Sequence, residues 1–561
     1  MNNMNYKTRL LSINILLLGT LELFGQRSTA FSLISKPTSE TSIGNFHLQE
    51  KFQKAELIYK RLVEARGDRR FNPPKFKMDS NERFAAYLES DGLSIGLEEK
   101  IYDLCMGLGE KEGEKAIAAI LGHELTHFYE KHQWRTGFVN SFEGLKVADK
   151  LREGDLLYLI DCETQADYLG NFLAYSAGFE VFYDLPKFYD LLYESYKLPD
   201  TLMGYPEKED RKKLALMTLE KTRELVEVFD VANLLTAIGN YEDARAFYKH
   251  ILVQYQGREI YNNMGILTVL SALSYFSPEE RKYRIPLELD LNFGSSSRQG
   301  FVSKEKIRRD LLQEAINYFD NAISMDSKYA SAYLNKACAY FMLGGEDNLR
   351  RAKFYVDVEA REKIMLDSLN LSTTSHGVTI LLALIAEKEG RLDHAKAMLE
   401  TIKSSSAIAN YNLSVMNKKV VTKVQTQNGP EDEEIEGIEH NQIISFTQNN
   451  RNKIKMQKLF GTIQLRTYKN LGELKSSKIF VYRPPSGEDS PDIYFHLSDT
   501  NYKGQTSDNF KIGTNRKAIT DIYGEPRSLK VTNGEILIYE EMLFILDKNQ
   551  QIKQFANYFK K

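Results

Sequence analysis

Apolar residues first gather between Leu10 and Phe24, in a run containing LLSINILLLG that follows Lys7 and Arg9. A basic start followed by a short apolar stretch is the layout of a secretory signal peptide. The stretch falls short of the roughly 20 residues of a membrane helix, and Glu22 interrupts it. Residues 1–30 are therefore expected to be removed at Ser28-Thr29-Ala30 or at Gly25-Gln26, the competing reading being an uncleaved anchor or a buried N-terminal helix. From Asn45 to Asp68 the pattern is that of an amphipathic helix, stopped by Asn72-Pro73-Pro74. Short strands are expected around Lys75 to Lys77, Phe84 to Glu89 and Leu93 to Leu97. Then comes AIAAILGHELTHFYEKH, Ala116 to His132, where Ala116, Ile117, Ile120, Leu121 and Phe128 recur at helical spacing and predict a helix with one buried stripe. A second apolar helix pattern runs through LIDCETQADYLGNFLAYSAGF, and Trp134 to Asp155, with scattered glycines and charges, reads as a flap between the two.

Beyond Phe229 the pattern becomes one of helical pairs. LLTAIGNYEDARAFYKHIL places Gly239, Tyr241, Ala244 and Tyr248 at the offsets of a tetratricopeptide repeat, where small residues let neighbouring helices approach. Ala315, Ala322, Ala337 and Tyr340 give a second copy, and Gly390, Leu392, Ala395 and Leu399 a third. Three to five such repeats are expected over residues 226–415, with Phe293 to Gly300 as a loop insertion; the alternative is a non-repeating helical bundle. Residues 416–445 turn polar and acidic through GPEDEEIEGIEH and read as a linker. The final stretch, 446–561, alternates β-formers in SKIFVYR and DIYFHL. It ends in a meander, with Asn533-Gly534 as a hairpin turn and Asp547-Lys548-Asn549 as the next. The expected whole is multidomain: a mainly α domain with a small β-sheet over residues 45–225, an α-helical solenoid, and a small C-terminal α+β domain.

The chemistry is concentrated in the helix of Ala116 to His132. His123 and His127 stand four residues apart on one helix face with Glu124 between them, which is the H-E-x-x-H arrangement of two zinc ligands and a general base. A catalytic zinc takes a third protein ligand and leaves one position for water. Glu163 is the best candidate, with Asp167 four residues further on the same helix pattern. Two unpaired carboxylates there would be costly to bury, so ligation by Glu163, with Asp167 supporting a ligand histidine, would remove the cost. An exposed polar face is the other reading of that pair.

These residues carry a resemblance. HELTH followed by the E-x-x-x-D of Glu163 to Asp167 resembles the gluzincin zinc metallopeptidases of family M-forty-eight, with their HtpX, Oma-type and BepA-like branches, over roughly residues 45 to 225. The resemblance implies one Zn2+ per chain and endopeptidase activity. It also implies an extended segment that pairs with substrate, here Ala85 to Glu98, and a further histidine after the motif, here His132. Whether His132 steadies a ligand or swings onto the metal is left open. Where the family carries His-Pro and then arginine, this chain has Tyr205, Pro206 and Arg211. Tyr205 would offer a hydroxyl to the oxyanion or merely pack, and Arg211 would share the oxyanion role. The BepA-like branch also joins a peptidase to tetratricopeptide repeats, which implies a protein client or partner on the repeats.

Composition narrows the choice. A formal charge of -3 and a pI near 6.4 give no general attraction to nucleic acid, and no basic stripe with interleaved aromatics appears. Three separated cysteines provide no disulfide framework. No Gly-x-Ser-x-Gly elbow or Walker loop offers another chemistry. The expectation is an exported zinc endopeptidase acting on protein or peptide substrates, including misfolded or unassembled envelope proteins. It would work in the periplasm or cell envelope of a diderm bacterium, with peripheral membrane association left open. The alternative is an envelope scaffold or chaperone whose zinc site is latent or structural.

Overall fold

The computed structural model describes residues 42–82, 84–89, 92–133, 155–201, 207–287, 304–366, 371–418, 435–450, 455–459, 462–470, 474–484, 491–506, 508–531, 534–547 and 549–561. The expected signal segment, Trp134 to Gly154, Tyr205 with Pro206, Phe293 to Gly300 and the acidic stretch up to Glu434 lie outside them. The chain is mostly helical, with one small sheet and one large one. It forms two compact units, residues 1–66 with 71–223, and residues 67–70 with 224–561. Among the described residues no helix is long and apolar enough to cross a membrane.

The first unit is built around one helix. Helix α1 (Ser42–Arg66) leads to strands β1 (Lys75–Asp79), β2 (Ala86–Leu88) and β3 (Ser94–Glu98), followed by α2 (Glu99–Met106), α3 (Glu110–Tyr129), α4 (Asp155–Ser176) and α5 (Leu185–Tyr196). The sheet order is β1-β3-β2, with β3 parallel to β1 from Lys75↔Ser94 and antiparallel to β2, so the fully buried β3 lies inside. Glu110 and Glu112 in the first turn of α3 complement the helix dipole. The sequence predicts one apolar stripe on α3, but the structure packs α1, α2, β2 and α4 around it. Ala116, Ile117, Ala118, Ala119, Leu121, Gly122 and Leu125 are all buried, and Ile120 and Phe128 only partly so. The run of alanines makes this possible, because small side chains let neighbours approach on several sides.

In the second unit, helix α6 (Lys208–Ala237), which begins in the first unit, is followed by α7 (Tyr241–Gln254), α8 (Arg258–Leu273), α9 (Lys304–Met325), α10 (Ala330–Leu343) and α11 (Glu346–Phe354). A wide π-helical turn (Tyr355–Ala360) leads into α12 (Arg361–Leu366), α13 (Leu371–Lys388), α14 (Leu392–Glu400) and α15 (Ala407–Met416). Neighbours in sequence pack side by side. Gly239 and Gly390 adopt φ of +80° and +82° just ahead of the residues that cap α7 and α14, a left-handed stop that glycine takes without a Cβ clash.

Helix α16 (His440–Asn449) opens the C-terminal part, which adds strands β4 (Lys455–Leu459), β5 (Thr462–Lys469), β6 (Ser477–Tyr482) and β7 (Ile493–Ser498), then helix α17 (Arg516–Tyr523). Strands β8 (Arg527–Val531), β9 (Gly534–Ile538), β10 (Met542–Leu546) and β11 (Ile552–Lys560) complete an antiparallel sheet of order β4-β5-β6-β7-β11-β10-β9-β8. Alternate residues face opposite ways. Ile479 and Val481 pack under α16, whereas Lys478 reaches Asp230 at 3.0 Å and the Tyr482 ring meets Phe247 edge-on at 5.2 Å. The sequence separates helices and sheet by a linker over 416–445. The structure joins them in one unit, and the end of that linker is built in: Ile435 and Ile438 are buried, and α16 starts at His440.

Candidate metal centre

His123 and His127 lie one turn apart on α3, and Glu163 lies on α4 directly across from them. What brings the two helices so close is a pair of glycines. A Cβ on Gly122 would stand 2.5 Å from the Gly170 carbonyl oxygen, and one on Gly170 would stand 2.6 Å from the His123 nitrogen. The two backbones therefore touch where they cross, within one residue of His123. Side chains as short as glutamate can then span from α4 to the imidazoles.

The donor atoms form a triangle. His123 Nε2 is 3.0 Å from His127 Nε2 and 3.4 Å from Glu163 Oε2, and His127 Nε2 is 3.5 Å from Glu163 Oε1. Ligands held at 2.0–2.1 Å around a tetrahedral zinc stand about 3.3 Å from one another. The three residues thus have the donor types and the spacing to hold one zinc ion, and they are the one such cluster among the described residues. Protonation supports the fit. Asp167 Oδ1 accepts from His123 Nδ1 at 2.8 Å, so the outer nitrogen of that ring carries a proton and Nε2 is the atom that would offer a lone pair to a metal. A lone pair and a carboxylate that converge in this way call for a cation between them.

The titration of the groups expresses the same need. Burial disfavours a charged His123, yet the Asp167 and Glu163 carboxylates outweigh it and hold the imidazole well above its ordinary pKa. Burial and then the charge on His123 push His127 down to about 3. Burial pushes the Glu163 carboxyl up, but hydrogen bonding to His123, and the charges of His123, His127 and Arg211, bring it down to about 2.

Outside the triangle, Tyr189 on α5 donates to Asp167 Oδ2 at 3.1 Å, and the Arg211 guanidinium lies 4.6 Å from the centre of the Tyr189 ring. Burial drives the Tyr189 hydroxyl far above its ordinary pKa, so it stays a donor. His132 is buried and lies against the outer side of His127, its Nδ1 2.9 Å from His127 Nδ1 and its Nε2 3.1 Å from Gln165 Oε1. Glu124 is half-buried on α3 beside the ligands. Tyr205 lies outside the described residues. Cys162, next to Glu163, is buried and in no disulfide, as are Cys105 and Cys338.

Sequence reasoning brought forward seven of the described residues here and passed over four. Gly122 and Gly170 carried a signal, since glycine inside an otherwise helical pattern calls for a packing reason. Tyr189 and Gln165 carried none, because neither motif spacing nor periodicity points at them. No family model matches the sequence, and no curated protein matches it either.

Proposed function

We propose that the chain is an exported zinc-dependent endopeptidase of the gluzincin kind, and that its helical region is a tetratricopeptide-repeat array recruiting a protein client or partner. The observation that carries the reading is the convergence of His123, His127 and Glu163, from two helices, into a triangle of zinc-ligand dimensions. Zinc, when bound, supplies a water acidified toward neutrality and a Lewis acid for the scissile carbonyl. Glu124 is the group to take the proton of the attacking water and return it to the leaving amine. Arg211, whose charge acts on Glu163, is assigned with Tyr205 to steady the oxyanion. Asp167, held by Tyr189, fixes the ring of His123 with its lone pair inward. The repeat reading is supported by the left-handed glycines before α7 and α14 and by the burial of Ala244, Ala315, Ala322, Ala337 and Ala395 between packed helices.

The test compares zinc content and cleavage of unfolded casein in the wild type, Glu124→Gln and Glu163→Ala. One zinc in the wild type and in Glu124→Gln is expected, with cleavage down by about 10²–10⁴-fold in the latter. Glu163→Ala is expected to lose the metal. A wild type without zinc, or an active Glu124→Gln protein, overturns the assignment. Zinc in both and cleavage in neither would leave the envelope scaffold with a structural zinc as the better reading.

A further inference from the structure

We propose that His132 is a positioning residue for His127, accepting the proton on its outer nitrogen, and that Gln165 in turn fixes His132. This rests on the reading of the triangle as a metal site and adds to it the device that sets the second ligand's tautomer.

On a continuous helix a side chain meets its neighbours three and four residues away, so His132, five residues after His127, would point elsewhere. The helix does not continue. Lys131 adopts the left-handed conformation, with φ +57°, and the His132 N–H donates to the His127 carbonyl at 3.1 Å. This six-to-one closure of a helix end folds the chain back on its last turn. It brings the two imidazoles edge to face, with centroids 4.9 Å apart and planes at 82°.

The protons then follow from the far end. With the Gln165 amide oriented to place Oε1, which only accepts, 3.1 Å from His132 Nε2, a neutral His132 ring carries its proton there and leaves Nδ1 bare. The 2.9 Å contact between the two Nδ1 atoms needs one proton, which must come from His127. His127 is therefore the Nδ1–H tautomer, and its bare Nε2 faces His123 and Glu163. The two ligand rings are held alike from outside but by unlike partners, His123 by an anionic carboxylate and His127 by a neutral imidazole leaning on an amide. The left-handed Lys131 closes the end of α3 as the left-handed Lys197 closes α5, and here the closure also delivers the acceptor.

The test is the zinc affinity of the full chain, read by competition with a chromophoric chelator, for wild type, His132→Phe, His132→Gln and Gln165→Leu. His132→Phe fills the space but cannot accept, and should bind zinc about 10–100-fold more weakly. His132→Gln, whose carbonyl can take the same proton, should recover most of that loss, which a purely structural role would not predict. His132→Phe binding as tightly as wild type, or His132→Gln falling as far as His132→Phe, overturns the proposal. Should His132→Phe fail to fold, Gln165→Leu decides, because Gln165 is exposed and its loss disturbs no core. Weaker binding supports the relay, and unchanged binding overturns it. A wild type that takes up no zinc at all defeats the metal reading first, and this inference with it.

Discussion

At the scale of single residues, the absence of a side chain at Gly170 matters as much as the presence of a carboxylate at Glu163. A methyl group on Gly170 would meet the main chain of Gly122 and His123 at 2.6–2.8 Å, and main chain cannot swing aside. Gly170→Ala is therefore expected to be destabilising by about 1–3 kcal/mol even though alanine favours helix. Zinc binding should weaken with it, because His123 must move. Urea denaturation beside a zinc titration checks both, and wild-type values for each would mean that the helices do not meet there. A second residue speaks at a distance from the centre. His496 is fully buried in β7, its Nε2 2.8 Å from Ser477 Oγ, while Ser477 donates to Glu436 and Nδ1 has no hydrogen-bond partner among the described residues. Burial, and then the charge of His440, lower its pKa from 6.5 to about 4. The unfolded chain takes up a proton near 6.5 that the folded chain refuses until about 4, so this residue's contribution is complete above that window and lost as the pH falls through it. The loss is at most about 3 kcal/mol. His496→Asn should flatten the fall in urea midpoint between pH 7 and 5, and an unaltered slope would assign it to other groups.

Among elements, those that put chemistry on a regular spacing were legible and those that depend on neighbours were not. The helix of His123 and His127 could be read because four residues is both a motif spacing and a helical turn. Strands β6 to β11 could be read because β-formers cluster between turn residues. Strands β4 and β5, KMQKL and TIQLRTYK, mix charged and apolar residues and follow an acidic stretch, so composition masked them. The end of α3 was hidden for another reason. A lysine gives no hint of a left-handed turn, since the conformation is imposed by closure of the helix end and not by the residue's own preference. The partnership of His127 with His132 was accordingly invisible to helical spacing.

Across the whole molecule, the sequence pattern drew three bodies after the expected signal segment, and contacts divide the chain into two. The reason lies in particular side chains. Tyr482 alternates correctly for a sheet, but nothing in its sequence says that Phe247, far earlier in the chain, supplies the ring against it. Phe247 is fully buried, so Phe247→Ala should cost about 3–5 kcal/mol. If helices and sheet are one cooperative unit, hydrogen exchange should quicken together over 226–418 and 455–561. Faster exchange in the helices alone would show that the sheet stands by itself.

The strand order also has a consequence for how the protein is made. Strand β11, the latest of the eight to be synthesised, lies between β7 and β10 in the middle of the sheet. While the ribosome is still short of Ile552, β4 to β7 and β8 to β10 can pair only among themselves, and β7 and β10 each present an open edge to the surroundings. Exposed edges recruit strands from other chains. The nascent protein therefore passes through a sticky interval that closes when its last strand is threaded between the halves, and a holding chaperone would have its work in that interval.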